Sequence, residues 1–302
     1  MCIGFVCIGV YGGFMFSLID LLGTSLSTIR IIDVGAMQLG DIPPPYAPIM
    51  RDRISRVIGF EPVQAECDKL NAKPRPGHTY LPYFIGDGSP GTFRECRFTP
   101  SSSLYAPNAK LRRRFAELAQ YGEVVKESAV TTTRLDDIPE IKGADYIKLD
   151  IQGGELKALE GAERLLKGIV FVETEVELVP MYEGQPLFAE VDQELRKRGF
   201  LFHTFSAIAG RSFVPVHPAG GPGEGFRQML WGDAVYVKDF TRFSELEPEQ
   251  LLKIAAIAHD LYGSPDLAAL ALQHHQVKTG SGHWRAYMMK LMGTIPDAPG
   301  LE

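Results

Sequence analysis

Short apolar runs alternate with longer amphipathic stretches along most of this chain, and this alternation constrains the fold more than any other feature. Helical spacing of apolar residues is found at 63–71, 155–166 and 187–198. Between these stretches, seven runs have the length and composition of strands: residues 28–34, 56–61, 79–85, 145–149, 169–176, 200–205 and 234–237. The pattern predicts an α/β fold with a seven-stranded, mainly parallel sheet flanked by helices.

Three regions depart from the alternation. Residues 88–121 and 211–227 are rich in Ser, Pro and Gly, and we expect long loops there, of the kind that often cover a binding site. Residues 247–275 have the spacing of two amphipathic helices. We therefore expect an N-terminal addition over 1–27, a main domain over 28–240 and a helical C-terminal extension over 241–302.

Charge and cysteine content exclude several classes of protein. The formal net charge of -6 and the pI of about 5.7 are unfavourable for a protein that binds the phosphate backbone of nucleic acids. The four cysteines form no CxxC pair, so neither a metal site nor a disulfide framework is expected. Reduced thiols favour a cytoplasmic protein.

The first 22 residues are mostly apolar and leave two interpretations open. They lack a basic n-region, contain several glycines and include Asp20, all of which favour a packed addition or an early start codon over a signal peptide. A membrane anchor is the less favoured alternative.

A glycine-containing turn follows the first predicted strand. The run IIDVGAMQLGD places Asp33, Gly35 and Gly40 where the strand ends. Glycine allows a ligand to approach the backbone, and a carboxylate there can accept a hydrogen bond from an ammonium group. A plain strand-to-helix turn is an equally good interpretation of this run alone.

Acidic residues also follow the second and third predicted strands. Glu61 ends the run RVIGFEP, where an acid can bind ribose hydroxyls, although it could equally stabilise a helix N-terminus. Asp87, in FIGDGS, could accept a hydrogen bond from an adenine amino group, although a turn alone explains it as well.

The fourth and fifth predicted strands supply the candidate catalytic groups. Asp150 ends the strand that carries Lys148, and ligands in such sheets bind at this edge. Alternate positions of the next strand hold Glu173, Glu175 and Glu177, which therefore share one face and include a candidate general base. His203 is a further candidate, although a structural histidine is the simpler interpretation.

Five ordered blocks of the chain resemble the FkbM family of methyltransferases, over about residues 31–240. The blocks are IDVGA, VIGFEP, SSSLYAPN with TTTRLDDI, KLDIQGGEL, and EVELVPMYEGQPLFAEVDQELRKRGF. The resemblance implies a Rossmann-like class I methyltransferase fold. It also implies that S-adenosylmethionine is the cofactor and that a hydroxyl of a sugar, polyketide or other small metabolite is methylated. Met37, where the family usually has Asn, the late Gly40 and the prolines at 43–45 depart from the family's first turn.

The predicted site combines these residues. Catalytic candidates are Asp150, Glu175, which we favour as base, Glu177 and His203; the cofactor-binding candidates are Asp33, Gly35, Gly40, Glu61, Asp87 and Asp150. Two alternatives remain at this point. A nicotinamide-dependent oxidoreductase would require a fuller GxGxxG turn, and a non-catalytic binding module would fit the altered first turn.

Overall fold

The structure is a computed structural model that describes residues 5–6, 16–37, 40, 42–51, 54–73, 75–216, 218–221 and 223–294. The strands are β1 Phe5–Val6, β2 Ile29–Val34, β3 Ser55–Phe60, β4 His78–Leu81, β5 Pro90–Cys96, β6 Val124–Thr131, β7 Tyr146–Leu149, β8 Phe171–Glu177, β9 Phe200–Gly210 and β10 Met229–Lys238. The α-helices are α1 Leu18–Leu22, α2 Gln64–Ala72, α3 Ala109–Arg112, α4 Leu118–Tyr121, α5 Glu155–Glu160, α6 Phe188–Lys197, α7 Pro248–Asp260, α8 Pro265–Thr279 and α9 His283–Thr294.

One large sheet contains all seven predicted strands, in the order β1-β9-β10-β8-β7-β2-β3-β4. Pairing is parallel from β4 through β3, β2 and β7 to β8, whereas β10 runs antiparallel to both β8 and β9. The short strand β1 adds an antiparallel edge to β9. The predicted doubly wound, mainly parallel α/β fold is confirmed.

The prediction of a loop over 88–121 is wrong for its first part. Strand β5 pairs antiparallel with β6 in a separate two-stranded sheet inserted between β4 and β7. Strand β6 is largely exposed on both faces, so it has no alternation of apolar and polar residues to reveal it. The third predicted strand is also shorter than expected, because β4 ends at Leu81.

The two faces of the large sheet have separate cores. On one face, α5 and α6 pack against side chains of the central strands, including Ile32, Ile147 and Val172. On the other face, α1, α7, α8 and α9 pack against Ile31, Phe171 and neighbouring apolar residues. The C-terminal helices therefore share a core with the sheet.

The connection from β2 to β3 explains why that face needs the C-terminal helices. Among its described residues there is only a 3₁₀ turn, Ala47–Ile49, in place of a full crossover helix. The prolines at 43–45 disfavour a helix just before this turn. Helix α7 packs beside the turn and covers sheet surface that a crossover helix would otherwise cover.

Two polar contacts attach the terminal helices. The buried Lys253 Nζ of α7 lies 2.9 Å from Asp145 Oδ1 at the start of β7. The carboxylate of Asp260 accepts hydrogen bonds from the backbone N–H groups of Leu18 and Ile19, at 2.8 and 2.9 Å, and so caps α1. Within the described ranges, no helix is both long and apolar enough to cross a bilayer. Most of the apolar N-terminal run, residues 1–4 and 7–15, lies outside those ranges.

Candidate active site

One face of the large sheet changes from apolar to polar along the direction of its parallel strands. On β8, Phe171 is followed at alternate positions by three acids, Glu173, Glu175 and Glu177. On β7, Tyr146, Lys148 and Asp150 follow the same alternation. The C-terminal helices cover the apolar end of this face, and the polar end forms the carboxyl edge where ligands bind in such sheets.

Lys148 links the ends of β2 and β7. Its Nζ lies 3.7 Å from Asp33 Oδ1 and 3.3 Å from Asp150 Oδ2. Burial acts to lower the pKa of Lys148, but the neighbouring carboxylates outweigh it and raise that pKa. The lysine therefore stays charged and holds two predicted site residues together.

One carboxylate oxygen of Asp33 accepts no hydrogen bond from the described residues. Its Oδ2 accepts a hydrogen bond from the Tyr46 hydroxyl at 2.8 Å. Its buried Oδ1 has no hydrogen-bond partner among the described residues. A buried carboxylate oxygen in this state suits an ammonium group of a ligand.

Gly35 brings the first turn against the end of β7. Its φ is +85°, and a Cβ there would lie 2.0 Å from the Asp150 carbonyl oxygen. Only glycine fits this close approach. The N–H groups of Gly35 and Ala36 donate to the Phe60 carbonyl at 3.1 and 3.0 Å, so the turn lies directly beside Glu61.

Glu61 is only 2% exposed and accepts a hydrogen bond from the Val63 N–H at 2.9 Å. Burial raises its pKa to about 7, partly offset by that hydrogen bond. A carboxyl group with so few partners can accept further hydrogen bonds from hydroxyl donors. Together with Gly35 and Asp33, it makes the ends of β2 and β3 fit a ligand that carries both a ribose and an ammonium group.

Asp150 and Glu175 form a carboxyl pair at the edge. The Asp150 side chain is 37% exposed, whereas Glu175 is 9% exposed. Burial acts to raise the pKa of Asp150, but Lys148 and hydrogen bonds from Gln152 and Glu175 lower it below its usual range. Burial and the charge of Asp150 raise the pKa of Glu175 well above its usual range. At neutral pH the half-buried Asp150 is therefore ionised and the buried Glu175 protonated.

Further acids surround the pair. Burial raises the pKa of Glu177 to about 7 despite a hydrogen bond with Gln185, and burial with the charge of Asp150 raises that of Asp233 to about 7. Glu155, the first residue of α5, has a strongly raised pKa through burial and the charge of Glu177. Lys148 cannot neutralise this many carboxylates, so several of them stay protonated. No group of described residues is arranged to hold a metal ion.

Glu173 and His203 lie outside this cluster. The Glu173 carboxylate accepts hydrogen bonds from the hydroxyls of Tyr146, Tyr262 and Ser206, under the C-terminal helices. His203 Nε2 lies 2.7 Å from Ser264 Oγ, at the turn between α7 and α8, and burial lowers its pKa. Both placements favour structural roles.

Asp87 and Gly40 are also apart from the cluster. Asp87 Oδ1 accepts from the backbone and hydroxyl of Ser89 at 2.9 and 2.5 Å, and Lys157 Nζ lies 3.3 Å from Oδ2. Burial acts to raise its pKa, but these partners lower it to about 2. Gly40 has a φ of +63° with open space beside it, and its neighbours 38, 39 and 41 lie outside the described residues.

The sequence analysis did not single out Gln152, Tyr182, Glu155 or Asp233. Gln152 and Glu155 belong to the block KLDIQGGEL, and Tyr182 belongs to the block EVELVPMYEGQPLFAEVDQELRKRGF, so the signal for them was present in the motifs. What the motifs did not show is that Tyr182 reaches the site through the turn after β8. Asp233 shares a face with Glu175 through the pairing of β10 with β8.

An open cavity of about 560 Å³ lies at the opposite edge, beside Arg30, Asp145 and Lys253. These residues mark the amino ends of β2 and β7, away from the acidic cluster. Ligands in parallel sheets bind at the carboxyl ends. The candidate active site is therefore the cluster around Asp150.

A family model for the FkbM methyltransferase domain matches residues 33–202, more than half of the chain. The chain belongs to this family. The match begins at Asp33 and includes the carboxyl edge described above. It confirms the prediction of a methyltransferase that uses S-adenosylmethionine, and it replaces the oxidoreductase alternative.

Comparison with solved structures gives only distant likenesses. Magnesium protoporphyrin IX methyltransferase from Synechocystis PCC 6803, solved with bound SAM, is 12% identical with a TM-score of 0.33, covering 72% of this chain and 74% of that one. A methyltransferase described as putative, from Thermoplasma acidophilum, is 8% identical with a TM-score of 0.35, covering 70% and 69%. At these TM-scores neither carries an argument about function. No curated protein matches the chain significantly.

Proposed function

We propose that this methyltransferase transfers a methyl group to a hydroxyl of a small metabolite, such as a sugar or polyketide, with Asp150 as the proton acceptor. The observation that carries this proposal is the Asp150 carboxylate, which is partly exposed, keeps a pKa below its usual range and follows β7 where the backbone meets the Gly35 turn. It differs from the base favoured in the sequence analysis. Glu175 is held protonated, so it can donate a hydrogen bond to Asp150 but cannot accept the proton at neutral pH.

In this proposal, different residues bind the cofactor and accept the proton. S-adenosylmethionine supplies a methyl group on a sulfonium, whose sulfur keeps the electron pair of the broken carbon–sulfur bond. Asp33 and Glu61 bind the ammonium and ribose groups, and Gly35 lets the first turn pack directly against the backbone of Asp150. Asp150 receives the proton that the acceptor hydroxyl loses as its oxygen bonds to the methyl carbon. Positioning supplies much of the remaining acceleration.

Asp150→Asn tests the proposal. It removes the proton acceptor and one charge that holds Lys148, so we expect turnover to fall by roughly a hundred- to ten-thousand-fold, with weaker cofactor binding. A panel of small hydroxylated acceptors, read by mass for the gain of one methyl group, identifies the substrate. Single-turnover rates on that substrate then give the effect.

The matched control is Asp266→Asn, which removes an exposed carboxylate in the first turn of α8. It should leave the rate unchanged. Parent rates in a folded Asp150→Asn protein would remove Asp150 from this role.

A further inference from the structure

Gln152 has a backbone conformation that its residue type rarely adopts. Its φ is +57°, in the left-handed region, at the turn between β7 and α5. Glycine and asparagine adopt this conformation readily, whereas for glutamine it is unfavourable in free energy. Such a conformation persists where surrounding contacts hold it in place, and it often occurs at functional sites.

The side chain of Gln152 bridges the carboxyl pair. Its Nε2 donates to Asp150 Oδ1 at 3.1 Å and to Glu175 Oε2 at 2.5 Å. The two hydrogens of a single amide thus orient both carboxyl groups. These bonds leave Asp150 Oδ2 facing Lys148.

Gln152 also forms hydrogen bonds with Ser103 of residues 101–108, here called the covering segment, and with Tyr182. The Ser103 hydroxyl donates to the Gln152 carbonyl oxygen at 2.6 Å. The Tyr182 hydroxyl lies 2.9 Å from Gln152 Oε1 and 3.0 Å from the Ser101 carbonyl oxygen, and it can donate to either. Tyr182 is buried, with the Arg112 guanidinium 4.6 Å from its ring centroid.

We propose that Gln152 is a positioning residue that couples docking of the covering segment to the orientation of Asp150 and Glu175. The inference rests on the proposed role of Asp150. When the segment is docked, Ser103 holds the Gln152 backbone. Ser101 then places Tyr182, whose hydroxyl lies beside the Gln152 amide, and that amide orients the carboxyl pair for proton transfer. When the segment undocks, the contacts from Ser103 and Ser101 are lost and the amide is less firmly held against the pair. The other titratable groups around the pair are Lys148, Glu155, Glu177 and Asp233, and Asp33 lies beside Lys148.

Gln152→Asn separates the side chain's role from the backbone's. Asparagine tolerates a positive φ, so the turn is kept, but its side chain is one methylene shorter and cannot bridge both carboxyl groups. Loss of the hydrogen bond to Asp150 favours the protonated acid, so the acidic limb of the pH profile of kcat should move to higher pH. We expect kcat at neutral pH to fall at least about tenfold, with KM for the cofactor little changed.

Hydrogen exchange tests the coupling without any acceptor. In cofactor-free Gln152→Asn, amides of the covering segment should exchange at least about tenfold faster than in the parent protein. Gln120→Asn, an exposed glutamine on α4, is the matched control and should change neither measurement. Gln152→Glu keeps the length but places a third carboxyl beside the pair, and it should not restore the parent pH profile.

Unchanged exchange in the covering segment, or an unchanged acidic limb, in folded Gln152→Asn overturns the inference. These results are distinct from a failure of the proposed function. If Asp150→Asn reacts at the parent rate, the exchange measurement still decides whether Gln152 holds the segment.

Discussion

At the scale of single residues, Lys148 and hydrogen bonds keep Asp150 ionised, whereas burial raises the pKa of most other carboxyl groups of this site. Glu61 illustrates this, because its pKa of about 7 in the folded protein results mainly from burial, against an ordinary value of 4.5. Its ionised form is therefore disfavoured in the free protein, and folding stability contributed by the protonated form is lost as pH rises from 4.5 through 7. Ribose hydroxyls donate to the ionised form and favour it.

Cofactor binding should therefore strengthen with rising pH. Below pH 7, Glu61 must lose a proton to accept the ribose hydroxyls, so affinity for S-adenosylhomocysteine should fall by up to about tenfold per pH unit. Glu61→Ala should weaken binding by about 1–3 kcal/mol and remove this dependence. Titration calorimetry at several pH values measures both effects.

Asp68→Asn is the matched control, since Asp68 is exposed on α2, where it accepts a hydrogen bond from Gln64 at 2.8 Å, and it is not among the groups that shift the pKa of Glu61. It should retain the parent pH dependence. Affinity that is independent of pH in the parent protein would show that Glu61 does not bind the cofactor.

At the scale of elements, the covering segment is docked rather than open. Backbone hydrogen bonds join Ser103 to Arg94 of β5, and Asn108 to Met181. The segment therefore lies between the small sheet and the turn after β8, with its own Tyr105 against Gly153. That residues 100–107 form a mobile lid over the cofactor or acceptor stays a prediction.

Ser103→Ala tests whether the hydrogen bond from Ser103 holds the covering segment in its docked position. Loss of the hydrogen bond to the Gln152 carbonyl should speed hydrogen exchange over 101–108 in the free protein. Cofactor and acceptor together should slow exchange there in the parent protein, because the ligands stabilise the docked state. Ser281→Ala, in the turn before α9, should leave exchange over 101–108 at the parent rate. Exchange that ligands leave unchanged would contradict the prediction that this segment covers the bound ligands.

At the scale of the whole molecule, the C-terminal helices are part of the central core. They cover the sheet face that the short β2–β3 connection leaves open, and they bury Lys253 against Asp145. We propose that residues 241–294, the described part of the predicted extension 241–302, fold together with the main domain. A protein ending near residue 245 should therefore be insoluble or unfolded, which expression and circular dichroism can test.

The buried ion pair gives a finer test of this packing. Lys253→Ala leaves Asp145 buried without its cation and should lower the free energy of unfolding by about 3–5 kcal/mol. Lys278→Ala, an exposed lysine at the end of α8, should change it by less than about 0.5 kcal/mol. Denaturant titration compares the two. Equal stability of both variants with the parent would show that α7 contributes little to the core.

The sequence by itself determined the architecture and the edge at which the site forms. Strands β2, β3 and β7 are mostly buried and mostly apolar, and apolar residues alternate with acids on β8, so their runs are visible without tertiary information. Acids at the ends of parallel strands must meet at one edge, which is why Asp33, Glu61 and Asp150 lie near one another, while their roles stay predictions. The acceptor, the methylated oxygen and the cytoplasmic location stay predictions.

Only the tertiary structure decided which acids meet and in which protonation state. Glu173 and Glu175 share a strand face, yet the C-terminal helices enclose Glu173 with three hydroxyls while Glu175 faces Asp150. Protonation depends on burial and on charges from other strands, which local sequence does not encode. The role of Gln152 likewise follows from contacts with residues 49 and 30 positions away, at Ser103 and Tyr182. Such contacts exist only once the chain has folded around the site.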